Sequence, residues 1–464
     1  MNDTQQMSVW QSVLEEARRC ERRHDWLGAA AVYARVHANS ALDPRPLINQ
    51  GHALWQADLP LAALGCYRLA STLAPDHPLV LCGLGHCFLD LREFEQADLH
   101  YLRVGSSEAC WARGQVLLGL ERYEEAFQEI ERRRDLASWV PFLSGTWWGG
   151  MALRDLDPSD ELLVWSEQGY GDIFQYLRWL PALGEQRQRQ AEARGVRCLP
   201  LTLVVEPNLV RLLAEGLAWM SRPPRVVAKT ALRPEEARAR AHGPMISLPH
   251  ELGGAPLPSG ARDGEESVAT LRSPLWSRAP RSSEASLLPH RQGDNVSLGV
   301  LPRIGLVWAS GRKLNDPYTH REYIKRSLPP SALIQLLQGL QLRDVQVVSM
   351  QYGNDDQLAA ALGFPLPMPR LPLGDFASVA RVVAQLDLVI SVDTAMAHLV
   401  GTMGMPGWIL LPWSADPRWQ RDRSDTPWYP SLRLFRQPRS GAWSEAIEEL
   451  FTAFDARFSA APGC

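Results

Sequence analysis

Ala29 stands four residues before Tyr33, Ala63 four before Tyr67 and Ala97 four before Tyr101, and each pair is displaced from the last by 34 positions. A second column keeps the same step: Gly51-His52 with Trp55, then Gly85-His86 with Leu89. A shorter echo follows in Gly114-Gln115 and in Ala126 with Ile130. Two independent columns sharing one period exclude an irregular helical bundle, because only a stacked unit repeats its small and large positions in register. Small residues mark where paired helices cross, and aromatic residues fill the space beside them.

A period of 34 with these columns is the tetratricopeptide pattern, and "APDHP" at residues 74–78 supplies a proline-bearing turn between units. Stacked helix pairs leave a concave face, so the first third predicts a groove for a peptide or partner protein, or scaffolding for the rest of the chain.

After Pro158 the texture changes. Apolar runs "ELLVW" and "LTLVVE" alternate with the helical stretches "DIFQYLRWLPAL" and "PNLVRLLAEGL". The segment "IFQYLRWLP" reads as an amphipathic helix closed by Pro181. Residues 253–300 are rich in Gly, Pro, Ser and charge and read as loop or linker. Alternation resumes in "RIGLVWAS", "VQVVSMQ", "LDLVISVD" and "GWILLPW". This predicts two parallel sheets with crossover helices and a cleft at the carboxyl ends of their strands. The polar residues that follow those runs are the candidates: Glu167 to Asp172, Ser310 to Arg326, Gln351, and Asp393 to His398.

Composition narrows the function classes. A net charge of -4 and a pI near 6.3 give no electrostatic footprint for nucleic acid. No apolar run reaches the length of a membrane span, and the first residues lack a basic stretch followed by an apolar one, so no membrane span and a cytoplasmic protein are expected. The seven cysteines lack paired spacing and read as buried thiols. Asn2-Asp-Thr and Asn295-Val-Ser are read as chance matches to a glycosylation pattern. No His/Cys cluster has metal-ligand spacing, and Asp155-Leu-Asp157 precedes the first strand rather than following one, so no metal is expected.

The stretch "LDLVISVDTAMAHLVGTMGMP" is the most informative. A strand ends in Asp393-Thr394, both good caps, and a helix beginning near Ala395 stops before Pro406. Such a helix start is suited to a diphosphate. His398 points toward a ligand or packs on the sheet. Arg312, Lys313, Lys325 and Arg326 gather in "SGRKLNDPYTHREYIKRSLP", where cations would neutralise phosphate.

The motifs "EQGYGD", "GLVWASG", "RSLP", "SVDTAMAHL" and "DTPWYP", in this order after the repeats, resemble bacterial tetratricopeptide proteins carrying a heptosyltransferase-like glycosyltransferase domain of GT-B fold. The resemblance implies an α + α/β chain: a tetratricopeptide helical solenoid at residues 1–140, a Rossmann-like acceptor-side domain at 141–298, and a Rossmann-like nucleotide-sugar-binding domain at 299–464. It implies metal-independent, inverting transfer of a sugar from a nucleotide-sugar co-substrate, without cofactor, to an acceptor such as flagellin or another surface protein held by the repeats. Asp172 takes the place of the base, with Glu167 as second candidate. Gly169 and Gly171 shape their turn. Lys325, Arg326, Gln351, Asp393, Thr394 and His398 are assigned to the donor, the longer basic loop leaving open which of Lys325 and Arg326 meets phosphate. The rival reading is a non-catalytic scaffold with a degenerate enzyme domain.

Overall fold

The structure, a computed structural model, describes residues 3–143, 145–233, 241–254, 270–273, 301–311, 317–353, 355–369 and 374–458. The class expected from the sequence is the one observed: a tetratricopeptide-type helical solenoid and two Rossmann-like α/β sheets. By contact, the chain divides into two compact units. One comprises Met1–Trp139, Arg312–Lys325 and Ser414–Asp422; the other comprises Val140–Gly311, Arg326–Trp413 and Arg423–Cys464. Two stretches of the C-terminal third thus group with the repeats. Most of the linker read at 253–300 lies outside the described residues, as do Asn2, Asn295, Arg312 and Lys313.

In the helical unit, α1 (Asp3–Arg22), α2 (Trp26–Ala38), α3 (Pro44–Gln56), α4 (Pro60–Leu73), α5 (Pro78–Asp90), α6 (Phe94–Val104), α7 (Ser107–Gly119) and α8 (Tyr123–Ile130) follow one another. The sequence columns become contacts between them. A Cβ on Gly51 would stand 2.9 Å from the Tyr67 ring, one on Gly85 2.6 Å from Tyr101, and one on Gly114 2.8 Å from Ile130. Ala29, Ala63, Ala97 and Ala126 are fully buried. The turn inside each helix pair places a non-glycine residue in the left-handed region: His24, Asp58, Arg92 and Glu121, with φ between 57° and 66°. Pro78 opens α5 with His77 as its cap, as the turn reading of residues 74–78 requires.

In the α/β unit all strand pairs are parallel. The first sheet, of order β3-β2-β1-β4, is built from β1 (Leu162–Trp165), β2 (Thr202–Val205), β3 (Arg225–Ala228) and β4 (Ala241–Pro244). The second, of order β6-β5-β7-β8-β9, comprises β5 (Arg303–Val307), β6 (Gln346–Ser349), β7 (Leu388–Val392), β8 (Gly407–Leu411) and β9 (Leu432–Arg436). Both β1 and β7 are buried along their whole length, which explains their continuous apolar runs.

The helix after β1 differs from its reading. It ends at Tyr176, and a second helix, Trp179–Arg194, begins at once with Pro181 in its first turn. There the missing N–H of proline costs no intrahelical bond, so Pro181 opens a helix rather than closing one. The six described cysteines are free thiols, but only Cys87 and Cys198 are buried. The other four lie half-buried on helices facing partly outward.

Candidate functional site

In an open parallel sheet the ligand crevice lies where strand order reverses, because the two flanking connections leave on opposite faces. The reversal in the first sheet falls between β1 and β4, and in the second between β5 and β7. The carboxyl ends there are Ser166–Asp172, after β1, and Asp393–Thr394, after β7. Both were singled out from sequence alone.

The two turns meet. A Cβ on Gly171 would lie 2.8 Å from Cδ2 of His398, so glycine is what lets the β1 turn close on the imidazole. Neither Gly169 nor Gly171 supplies a left-handed turn: Gly169 has φ -81°, and Gln168 carries the positive φ of 65°. Asp172 is half-buried, and its Oδ2 accepts the backbone N–H of Gly169 at 3.2 Å. Glu167 is buried beside it in sequence, at 8% exposure.

On the other side Thr394 caps the helix Ala395–Thr402, its Oγ1 accepting from the Met396 N–H at 3.2 Å. His398 is buried and packs, as one reading held, yet it also faces the β1 turn. Its Nδ1 lies 2.9 Å from the Tyr429 hydroxyl and its Nε2 3.9 Å from Asp393 Oδ1. The other Asp393 oxygen is 3.8 Å from Arg326. Arg326 is therefore placed at the end of β7, and a helix start with an adjacent guanidinium offers an anion two kinds of favourable charge.

Lys325 is placed elsewhere. It belongs to the helical unit, paired with Glu322 at 2.9 Å and Asp90 at 3.4 Å. Although burial opposes its charge, Glu322 and Asp90 push its pKa above the ordinary range. Gln351 is buried, and its amide is committed to the backbone: Oε1 accepts from Trp308 and Ala309, and Nε2 donates to the carbonyls of Ala309 and Tyr352. It holds the loop after β5 in shape, and four such bonds fill the capacity of a glutamine amide.

Sequence reasoning missed Tyr429 and Arg178. Arg178 lies over the rings of Trp428 and Tyr429 at 5.1 and 5.2 Å and donates to the Trp428 carbonyl. Tyr429 in turn sits against Gly401, where a Cβ would meet its ring at 2.3 Å. The quoted "DTPWYP" was the available signal: aromatics flanked by proline just before a strand. Among the described residues no group of three or more His, Cys, Asp or Glu is arranged to hold a metal ion, and no helix is long and apolar enough to cross a membrane.

Repeats with crossing glycines and two parallel sheets define a class by fold: a tetratricopeptide-type helical array with a two-sheet parallel α/β region. No family model matches the chain. It is 28% identical over 404 residues to Protein FlbA of Caulobacter vibrioides, an alignment covering 82% of this chain and 62% of that protein. The chain thus spans less than two thirds of the length of that relative. Similar solved structures include the glycosyl transferase family 9 protein of Veillonella parvula, at 10% identity and TM-score 0.42, covering 65% of this chain and 98% of the other. The E. coli ADP-heptose lps heptosyltransferase II is another, at 12% identity and TM-score 0.37, covering 64% and 99%.

Proposed function

We propose that the protein is a glycosyltransferase that moves a sugar from a nucleotide-sugar donor to an acceptor, a protein such as flagellin or another surface protein held by the repeats in the cytoplasm. The observation that carries this reading is the close approach of Gly171, in the helix after β1, to His398, in the helix after β7. Gly171 precedes Asp172, and the helix that carries His398 starts after Asp393, whose carboxylate lies 3.8 Å from Arg326; a base facing an anion site is the combination an inverting transfer needs. Asp172 accepts the proton of the acceptor hydroxyl as that oxygen attacks the anomeric carbon. The bond from that carbon to the diphosphate breaks, and Arg326 with the N-terminus of Ala395–Thr402 stabilises the departing charge. Positioned donors of this kind act without a metal, and Glu167 is the second candidate for the base.

The hydrogen bond from Gly169 to Asp172 favours a second reading, in which Asp172 only caps its helix and the domain is a degenerate scaffold. Asp172→Asn separates them, because Asn at the third helical position still offers an oxygen to the Gly169 N–H but takes up no proton. We expect unchanged melting and donor affinity, with transfer slowed at least about 100-fold, the low end of general-base effects. Transfer within a few-fold of wild type at saturating donor would remove Asp172 as the base.

A further inference from the structure

The helical unit contains a cavity of about 270 Å³ that the reaction leaves unused. It is the size of one long side chain rather than of a nucleotide-sugar. Its walls are rings: His24 stands 6.0 Å from Trp26 and 5.4 Å from His320. Its mouth is apolar, with Leu27 and Ile324 about 60% exposed on the rim. Its polar lining includes two atoms without a hydrogen-bond partner, Gln56 Oε1 and His24 Nδ1.

The charge at its base is unbalanced. Arg321 and Lys325 line the cavity but are committed. Arg321 pairs with Asp90 at 2.7 Å and Asp58 at 2.9 Å and donates to the Trp55 carbonyl, while Lys325 pairs with Asp90 and Glu322. Among the described residues, four carboxylates stand against these two cations: Asp25 and Asp58 in the lining, and Asp90 and Glu322 as partners of Arg321 and Lys325. Asp58 remains 39% exposed. Burial raises its pKa despite Arg321 and Lys325.

An apolar mouth, aromatic walls and a net-negative base match an amphipathic cation, whose methylene stem covers apolar surface while its head meets carboxylates and ring faces. We infer that this cavity binds a lysine or arginine side chain of a peptide segment, making the repeats a reader of basic residues in a partner protein. The inference does not rest on the transferase reading.

The test uses the full chain without donor and four capped pentapeptides, Ala-Ala-X-Ala-Ala with X Lys, Arg, norleucine or Glu, titrated by calorimetry and tryptophan fluorescence. Lys and Arg peptides should bind at least about tenfold more tightly than norleucine, as one charge-assisted contact allows, and Glu least. Asp25→Asn, which retains an N-cap, and Asp58→Asn should each lower the preference for Lys while leaving norleucine binding unchanged. If Asp58→Asn fails to fold, Asp25→Asn decides. Equal binding of norleucine and Lys, tightest binding of Glu at Arg321 and Lys325, or no binding of any peptide overturns the inference. Nucleotide affinity, measured in parallel on the same variants, keeps this outcome separate from that of the proposed transfer.

Discussion

Arg321 and Arg326 lie five positions apart on the helix Pro317–Arg326, yet they belong to different units and live in opposite surroundings. Arg321 is buried at 4% exposure, stacked on Trp55 at 4.5 Å, with carboxylates of Asp90 and Asp58 at 2.7 and 2.9 Å. The Arg326 side chain is 28% exposed and its pair with Asp393 stands at 3.8 Å. A buried guanidinium with short, multiple partners is part of the architecture, since losing one partner strands the others in low dielectric. A partly exposed one beside a helix start can be reached by a ligand's charge. The same residue type is therefore structural in one unit and, in our reading, functional in the other.

The sharpest attempt to break this contrast is Arg321→Ala. Stranding Asp90 should cost about 3–5 kcal/mol in urea or thermal unfolding of the helical unit. A loss below about 1 kcal/mol, typical of surface pairs, would erase the distinction. Arg326→Ala should do the reverse, weakening nucleoside diphosphate binding by about tenfold or more, as befits a lost charge-assisted contact, with little change in melting. Unchanged calorimetric affinity would take Arg326 out of the site.

Glycines extend the comparison. Gly51→Ala gains helix propensity but drives a methyl into Tyr67, and overpacking of this kind costs about 1–3 kcal/mol, so the melting temperature should fall. Gly171→Ala presses on His398 instead and should slow transfer more than it lowers melting. The reverse ranking in paired melting and activity assays would mean that Gly171 serves packing alone.

The smallest effect concerns acid. Burial alone would raise the Asp90 carboxyl, but Lys325 and Arg321, with the Trp55 and Arg321 hydrogen bonds, hold it below the usual range. Its contribution is complete above the unfolded-state pKa of about 3.9 and is lost as pH falls below that value through the folded one. Asp58, raised by burial, acts in the opposite sense, its contribution present below about 3.9 and lost as pH rises through its folded value. The melting temperatures of wild type and Asp90→Asn should therefore converge as the pH is lowered from about 6 to about 3, the latter below the unfolded carboxylate pKa. A constant gap would show that Asp90 matters for shape rather than charge.

The repeats were legible because their signal is local: Gly51 and Tyr67 meet across adjacent helices, and so do Gly85 and Tyr101, so one period states both. Strands β1, β2, β5, β6, β7 and β8 were legible as apolar runs. Three strands were not. β4 is "AHGP", which no strand propensity favours and which only its pairing with β1 makes extended. β3, exposed or half-buried throughout, and β9 of the pattern "LRLFR" lie at sheet edges, where continuous burial does not impose an apolar run. At the site, the Asp172 and Asp393 turns could be read because both follow buried strands. The pairing of His398 with Tyr429 could not, since it joins residues from separate connections. Lys325 carried its own clue: with Arg321 four positions earlier, it shares one helix face and hence one environment.

Solenoids usually change length in evolution by duplicating or deleting whole units. Here the Arg321 head joins Asp58, in the turn after α3, to Asp90, at the end of α5, and Arg92 and Glu95 hold Asp422 and Arg421 from the far end of the chain. An extra unit inserted between Asp58 and Asp90 would carry the two carboxylates beyond the span of a single guanidinium. The middle of the array is thus fixed in number, and a gain or loss of a unit there would break the strut.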